Sequence, residues 1–271
     1  MITIKELLAC AALSLPLTAV ADGAIFKPSQ SSIKTTRKKV VIDENTILFR
    51  GEVNTDIVSK TMAKMYASTQ DSIVIFIDSP GGNVTDGLVL FDFIANFNKP
   101  TICYINNAAS MAFVIAQACT ERYVSDTTMM MQHQASFGGQ GTIGKMAEMS
   151  RFGGSLSDRA NELQAKRMGM SKEAFEKRIV NDWWIYGKDA VSENAADKVV
   201  YFECKPELTK KTYTETVQVF IFQVQLTWSS CPLIAAPLAV GMGGEAKPED
   251  AAKVKKALDN RMEYMRELNG R

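Results

Sequence analysis

Apolar runs alternate along the chain with segments whose apolar positions follow helical spacing. The runs are short and rich in β-branched and aromatic residues, and the continuous run at residues 72–77 is typical of a parallel strand covered on both faces. Short links that contain Gly or Pro join the elements, and the order β, α, β, α predicts an α/β fold with its site at the carboxyl ends of the strands. Strands are predicted at residues 40–42, 47–49, 72–77 and 101–105, and helices at residues 54–67, 84–97 and 110–118.

Residues 123–180 predict short strands followed by two helices, of which the first is long and polar. We expect the long helix to kink or break at Gly153 and Gly154, because each glycine costs about 1 kcal/mol in a helix interior. Ser171 is of the type that caps the N-terminus of a helix. The predicted elements are strands at residues 123–124 and 128–131 and helices at residues 145–168 and 171–180.

The two ends of the chain differ from this central part. An apolar stretch followed by Ala-Val-Ala precedes Asp22, which is the pattern of a secretory signal peptide with a small-residue cleavage site. The apolar run at residues 217–226 contains three Gln, and it predicts a strand followed by an apolar loop, or an interfacial segment, rather than a membrane span. Residues 247–268 predict a charged helix. The predicted domains are a signal peptide at residues 1–21, a flexible polar arm at 22–39, the main domain at 40–205 and an extension of unknown role at 206–271.

The composition narrows the classes of function. The chain has 271 residues, of which 46% are apolar and 23% charged, so it can build one full-sized core. Its formal net charge is only +1. Such a charge does not indicate the basic surface that a nucleic-acid-binding protein uses to contact phosphates. Nucleic acid is therefore not an expected partner.

The number of cysteines agrees with export, but the sequence does not determine whether they form disulfides. Cleavage after Ala21 would leave an even number of them in an oxidising compartment. Cys103 and Cys119 lie on a predicted strand and at the end of the next helix, a spacing that allows a disulfide and equally allows buried free thiols. The state of Cys204 and Cys231 also stays open. The spacings match no zinc pattern, and we expect neither a metal nor a cofactor.

Ser110 is the residue around which the candidate chemistry is organised. It lies among small residues at the junction of a predicted strand and helix, where free N–H groups favour a developing negative charge. Taken alone, it is better explained as an ordinary helix N-cap. His133, the only histidine, follows an apolar strand, and Asp182 is flanked by aromatic residues that could shield it from water. A serine nucleophile needs a base and a group that orients the base, so the three residues are a candidate catalytic triad.

A second requirement of such chemistry is a pair of donors for the oxyanion. Gly81 and Gly82 directly follow the predicted strand at residues 72–77, and glycines there let a backbone N–H point at a bound carbonyl. The N–H of Met111, the residue after the serine, would be the other donor. The alternative for the two glycines is a plain tight turn.

Several motifs, in this order, resemble the ClpP family, the proteolytic subunit of the caseinolytic (Clp) serine proteases. The resemblance covers about residues 40–203. The motifs are residues 78–85 (Asp-Ser-Pro-Gly-Gly-Asn-Val-Thr), residues 108–111 (Ala-Ala-Ser-Met), residues 131–134 (Met-Gln-His-Gln) with Gly-Gly-Gln-Gly at 138–141, and Asp182 with Asp-Ala-Val at 189–191.

This resemblance implies a ClpP/crotonase-like fold of repeated β-β-α units with a protruding handle helix. It implies Ser110 as nucleophile, His133 as general base and acid, and Asp182 as the group that orients His133. It also implies that the N–H groups of Gly82 and Met111 donate to the oxyanion. The implied partners are peptide or unfolded protein substrates, further copies of the chain in stacked heptameric rings, and a Clp-type ATPase if the protein is cytoplasmic.

Other functions stay open at this point. A membrane-associated protease of the signal-peptide-peptidase type has a related fold and a Ser/Lys pair, in which Lys145 or Lys166 would be the base. A catalytically idle, ring-forming scaffold is a further alternative, and a crotonase-type hydratase a more remote one. Residues 139–145 fit most of a phosphate-binding P-loop, but Met146 stands where Ser or Thr would hold magnesium.

The two strongest signals disagree about location. Residues 1–21 indicate a periplasmic or secreted protein, whereas the resemblance implies a cytoplasmic partner. We expect export, because an apolar leader with a cleavage site has no role in a cytoplasmic barrel. The mature chain should then begin at Asp22 and cut short or unfolded substrates without ATP.

Overall fold

The computed structural model describes residues 37–136, 138–219 and 222–243. The strands in these residues are β1 (Lys39–Ile42), β2 (Ile47–Arg50), β3 (Ile73–Ser79), β4 (Thr101–Ala109), β5 (Glu121–Gln132), β6 (Trp183–Tyr186), β7 (Lys198–Val199), β8 (Tyr201–Cys204), β9 (Thr212–Val219), β10 (Phe222–Ser229) and β11 (Ala239–Gly243). The helices are α1 (Thr55–Ala67), α2 (Val84–Ala95), α3 (Met111–Ala116), α4 (Ile143–Met168), α5 (Lys172–Arg178), α6 (Gly187–Ser192) and α7 (Pro206–Lys210).

The central sheet is mixed and largely parallel. Its strand order is β2-β3-β4-β5-β6, with β7 also paired to β5. Strands β2 to β5 run parallel, and β6 runs antiparallel along the end of β5. Parallel neighbours finish at the same edge of a sheet, so the residues that follow β3, β4 and β5 come together. The predicted α/β class is confirmed.

Both faces of this sheet are covered, which explains the unbroken apolar run of β3. Side chains alternate between the faces of a strand, so Ile75 and Ile77 enter one core cluster while Phe76 enters another. The first cluster packs against helices and includes Val58, Met65, Leu90, Phe91, Ala112, Phe113, Met168 and Phe175. The second cluster contains Val40, Ile42, Tyr104, Tyr123, Val200, Phe202, Cys204, Leu208 and Cys231.

Strand β5 joins two predicted strands into one. We predicted separate strands at residues 123–124 and 128–131, but the chain stays extended from Glu121 to Gln132. Its register against β4 shifts between these two parts. The Thr128 hydroxyl spans the irregularity, because it accepts the N–H of Ser125 at 2.8 Å and donates to the Ile105 carbonyl at 2.7 Å. A polar interruption in the pattern therefore marks a shift in pairing rather than a turn.

We expected a kink or a break in the long helix, and the break is wrong. Helix α4 runs without interruption through Gly153 and Gly154. Its ends are well defined, since Thr142 accepts the N–H of Lys145 at the start and Gly169 adopts a left-handed conformation, φ 71°, at the end. The loss of helix propensity at two glycines, about 2 kcal/mol, is spread over 26 residues. Intrinsic helix propensity is commonly outweighed by packing along the rest of a helix.

The C-terminal extension forms a sheet of its own. Strands β9, β10 and β11 pair antiparallel in the order β11-β10-β9. The apolar run at residues 217–226, for which we predicted one strand and a loop or an interfacial segment, belongs to two strands of a hairpin, with Gln218 opposite Gln223. Because the run includes residues of both strands, the alternation of apolar and polar residues within each strand is not visible in the run as a whole. None of the helices in the described part of the chain is long and apolar enough to span a membrane.

Two disulfides tie the fold together. Cys103 on β4 is bonded to Cys119, and Cys204 at the end of β8 is bonded to Cys231 after β10. Both pairs satisfy the spacing of a disulfide, with Cα atoms 5.9 and 5.8 Å apart. The second bond holds the extension to β8, which pairs in parallel with β1. The predicted signal peptide, most of the polar arm and the helix at residues 247–268 lie outside the described residues.

Candidate active site

Ser110 is held in an unusual backbone conformation between β4 and α3. Its φ of 53° and ψ of −121° lie in a region that costs a residue with a side chain about 1–3 kcal/mol. Hydrogen bonds fix it there: its N–H donates to the Met131 carbonyl at 2.8 Å, and its own carbonyl accepts the N–H of Phe113 at 3.0 Å. Although Ser110 occupies the N-cap position of α3, its side chain makes no capping bond. The hydroxyl is free for another partner.

That partner is His133. Its Nε2 lies 2.8 Å from the Ser110 Oγ. The two residues follow adjacent parallel strands, with Ala109 of β4 opposite Met131 of β5, so the strand register brings them together. The N–H of His133 donates to the Gln132 side-chain oxygen at 3.0 Å, which fixes the backbone that carries the imidazole. A half-buried imidazole at this distance can take the proton of the serine hydroxyl.

The position of Asp182 relative to this pair follows from the strand register. It directly precedes β6, whose Trp183 pairs with Gln132, so one further step of the antiparallel register would set Asp182 opposite His133. Within the described residues, no hydrogen bond connects the Asp182 carboxylate with the imidazole. We expected the flanking aromatic residues to shield Asp182, and this expectation is wrong. Trp183 turns inward against Phe113, while Asp182 and Trp184 are exposed.

Gly81 and Gly82 pass close to the serine with positive φ values of 93° and 146°. A Cβ on Gly81 would lie 2.6 Å from the Ala109 carbonyl oxygen and 2.8 Å from the Ser110 Cβ, so only glycine fits. Val53 fixes the segment on its other side, because its N–H donates to the Gly81 carbonyl and its carbonyl accepts the N–H of Asn83, each at 2.8 Å. These two glycines form a close approach to the site rather than a plain tight turn.

Two candidate backbone donors belong to residues that line the same cavity as the serine. Gly82 and Met111 line it together with Ser110 and His133. Among the described residues, neither the Gly82 N–H nor the Met111 N–H donates to a protein group. For Met111 the reason is its position as first residue of α3, where a helix leaves its N–H groups without internal acceptors. Such donors can stabilise an oxyanion.

Sequence reasoning missed three residues at this site. Gly87 of α2 makes room for Met111, because a Cβ there would overlap the Met111 side chain. Gln132 and Gln164 are buried beside the cavity, with exposed fractions of 4% and 0%. The spacing of Ala160, Ala165 and Met168 indicates the buried face of α4 on which Gln164 also lies, but nothing in that pattern singles out Gln164.

The alternative Ser/Lys arrangement finds no support in the geometry. Lys145 and Lys166 are both exposed on α4, and the group within hydrogen-bond distance of the Ser110 hydroxyl is the imidazole. The P-loop-like stretch ends in the first turn of α4, where the Thr142 side chain caps the helix.

Comparison with known proteins agrees with this geometry. The Clp protease family model matches residues 29–202. The chain belongs to the Clp protease family. A similar curated protein is the ATP-dependent Clp protease proteolytic subunit of Paracoccus denitrificans, 30% identical over 165 residues that cover 57% of this chain and 80% of that protein. The family resemblance inferred from the motifs is thereby confirmed, and membership supports a serine protease. Helix α7 and the C-terminal sheet lie beyond the matched residues.

Proposed function

We propose that this protein is a serine endopeptidase that hydrolyses peptides or unfolded proteins with Ser110 as nucleophile and His133 as general base and acid. The observation that carries the proposal is the 2.8 Å contact between the Ser110 Oγ and the His133 Nε2. It joins the sole histidine of the chain to a serine that is held in a strained conformation and released from helix capping.

The reaction follows from these positions. Ser110 Oγ attacks the carbonyl carbon of the scissile bond while His133 Nε2 takes the hydroxyl proton. The negative charge that develops on the carbonyl oxygen is stabilised by the N–H groups of Gly82 and Met111. The imidazolium then gives its proton to the leaving amine. A water molecule, activated by the same imidazole, hydrolyses the ester on Ser110 and restores the hydroxyl.

Asp182 is proposed as the group that orients His133. Continuing the pairing of β5 with β6 sets the two residues opposite each other, and a carboxylate there can accept the Nδ1 proton and stabilise the imidazolium. A rotation of the exposed Asp182 side chain would make this contact.

A fluorophosphonate probe tests the proposal, because it reacts with a serine that a neighbouring base activates. Peptide mapping should find the label on Ser110 alone. Ser110→Ala should abolish both labelling and hydrolysis of a fluorogenic peptide. Ser155→Ala, at an exposed position of α4, is the matched control and should retain both. Hydrolysis that persists in the Ser110→Ala protein would reject the assignment.

We further propose an exported homo-oligomer. Two disulfides are expected of an oxidising compartment and support the interpretation of residues 1–21 as a signal peptide. The unbroken α4 with exposed Ile143 and Phe152 supports contacts between copies, as in the stacked rings implied by the family. Osmotic-shock fractionation with intact-mass analysis should recover a chain that begins at Asp22. Light scattering then gives the number of subunits, and a cytoplasmic chain that begins at Met1 would contradict export.

A further inference from the structure

One wall of the cavity beside Ser110 is built from buried amide side chains. Gln132 and Gln164 are 4% and 0% exposed, and Asn161 is 8% exposed. The apolar residues that line the cavity include Val84, Met111, Val114 and Ala160. Polar groups so deeply buried are normally hydrogen-bonded, so the bonds of the two glutamines determine what the wall offers to a substrate.

These bonds fix the orientation of both amides. The backbone N–H of His133 can only donate, so the Gln132 group that faces it at 3.0 Å is the oxygen. The Gln132 NH₂ group then faces Gln164 and donates to its oxygen. The Gln164 NH₂ group donates in turn to the Ala160 carbonyl at 3.0 Å, which can only accept. A fixed donor at one end and a fixed acceptor at the other leave a single consistent arrangement.

Each amide nitrogen carries two hydrogens, and in the described part of the chain each uses one of them in this series. One N–H on Gln132 and one on Gln164 therefore remain without a bond in this series, and both residues line the cavity. A complex with a substrate is less stable if it leaves a buried donor without an acceptor. A bound side chain with an acceptor oxygen would satisfy these donors, whereas an aliphatic or aromatic side chain would not.

The cavity is also small. Its volume is about 80 Å³, and it is partly open to solvent. A side chain of two to four non-hydrogen atoms fits such a space.

On the basis of the proposed peptidase function, we propose that Gln132 and Gln164 determine specificity. They select substrates whose residue on the acyl side of the scissile bond has a short side chain with an acceptor oxygen, such as Ser, Thr or Asn. Gln132 has a second, positioning role, because the same oxygen that orients its amide also holds the His133 backbone.

The test uses fluorogenic peptides that differ only in the residue before the scissile bond, namely Ser, Asn, Ala, Leu or Phe. For the wild-type protein, kcat/KM should be about ten- to hundredfold higher with Ser or Asn than with Leu or Phe, as expected from one unpaired buried donor. A preference for Leu or Phe, with Ser110 labelled by the fluorophosphonate, would overturn this inference and leave the peptidase function intact. Failure to hydrolyse any peptide, with Ser110 unlabelled, would overturn the peptidase function and this inference together.

Variants then locate the effect. Gln164→Met keeps the length of the side chain and removes its donor, so the ratio of kcat/KM for Ser over Leu should fall about tenfold. Gln70→Met, at an exposed position, is the matched control and should keep the wild-type ratio. If the single variant does not fold, the double variant Gln132→Leu with Gln164→Met removes both side-chain amides and should show the same loss in this ratio. The His133 N–H then loses its acceptor, which should lower kcat for all the peptides alike and leave the ratio readable. A ratio unchanged in a folded variant would contradict the assignment.

Discussion

Ser110 and His133 are neighbours because Ala109 and Met131 are partners in a parallel pair of strands. Each functional residue lies just beyond the paired part of its strand, and the 2.8 Å contact joins residues 23 positions apart in the sequence. The site therefore depends on the register of β4 against β5.

The first prediction concerns the base. His133→Ala should reduce kcat/KM by about 10³-fold or more, because removal of one member of a catalytic unit disables the others. Circular dichroism should be unchanged, since the half-buried ring lies at the edge of the core. Lys145→Ala and Lys166→Ala serve as controls and should retain activity. If His133→Ala remains active and either lysine variant is inactive, the mechanism belongs to the Ser/Lys class.

The second prediction tests the orienting acid. Asp182→Asn should lower kcat, because an amide would stabilise the wrong tautomer of the imidazole, while the melting temperature should not change at an exposed position. Asp158→Asn, on the exposed side of α4, is the matched control. An unchanged kcat in Asp182→Asn would show that His133 is oriented by another group.

The third prediction separates steric overlap from backbone strain at the glycines. Gly81→Ala should lower the free energy of unfolding by about 2–4 kcal/mol and abolish labelling of Ser110. Gly51 is the matched control, because its φ of 99° is similar to the 93° of Gly81 but a Cβ there would have no atom within 4 Å. Gly51→Ala should cost only about 1–2 kcal/mol for the strained backbone and should leave labelling intact. Equal effects of the two substitutions would show that the close contact with Ser110 is unimportant.

The fourth prediction concerns the buried Arg122, whose guanidinium donates to Asp197 at 2.7 and 3.0 Å. Partial burial raises the pKa of Asp197, but the hydrogen bonds and charge of Arg122 outweigh it and bring the pKa below its ordinary value. A lowered pKa contributes stability above the ordinary carboxylate range, and this stability is lost as the pH falls through the lowered value. Chemical denaturation between pH 7 and pH 2 should show the loss in the wild type.

Asp197→Asn should remove that part of the acid dependence and destabilise the protein by about 3 kcal/mol, because Arg122 would be left buried beside a neutral group. Asp126→Asn provides the comparison. Its ion pair with Arg37 is exposed, so the change should be under about 1 kcal/mol. The role assigned to Arg122 would be wrong if the two substitutions had the same effect.

The fifth prediction concerns the disulfides. Under non-reducing conditions, Cys103, Cys119, Cys204 and Cys231 should resist alkylation in the native protein and in the denatured protein. The bond between Cys204 and Cys231 closes 27 residues, so its loss in a Cys204→Ser and Cys231→Ser double variant should lower stability by about 3–4 kcal/mol on the chain-entropy account. Alkylation of these four thiols without a reductant would contradict both bonds and weaken the case for export.

The sequence predicted the order of elements well where one type of signal dominated. The unbroken apolar run of β3 identified a strand, and Ser171 identified the start of a helix. The small residues around Ser110 identified a turn. Prediction failed where the local preference of the sequence differed from the structure that the whole fold adopts. Gly153 and Gly154 are poor helix formers, yet α4 continues through them.

The site was predictable in part for the same reason. Ser110 and His133 were identified from residue type and position after a strand, since strand ends converge in a parallel sheet. The exposure of Asp182 could not be predicted, because it depends on which way the flanking tryptophans turn. The series from His133 through Gln132 and Gln164 to Ala160 joins β5 to α4 and has no signature in either segment alone.

The second core cluster bears on how this protein can be shortened. Leu208 and Cys231 are buried members of that cluster, and Ile234 packs against it, although all three lie beyond the residues that the family model matches. A chain that ends at residue 205 would retain Ser110, His133 and Asp182 and yet lose two buried members of this cluster. It should therefore precipitate rather than work as a minimal enzyme. The point at which similarity to relatives ends is not a point at which this protein can be cut.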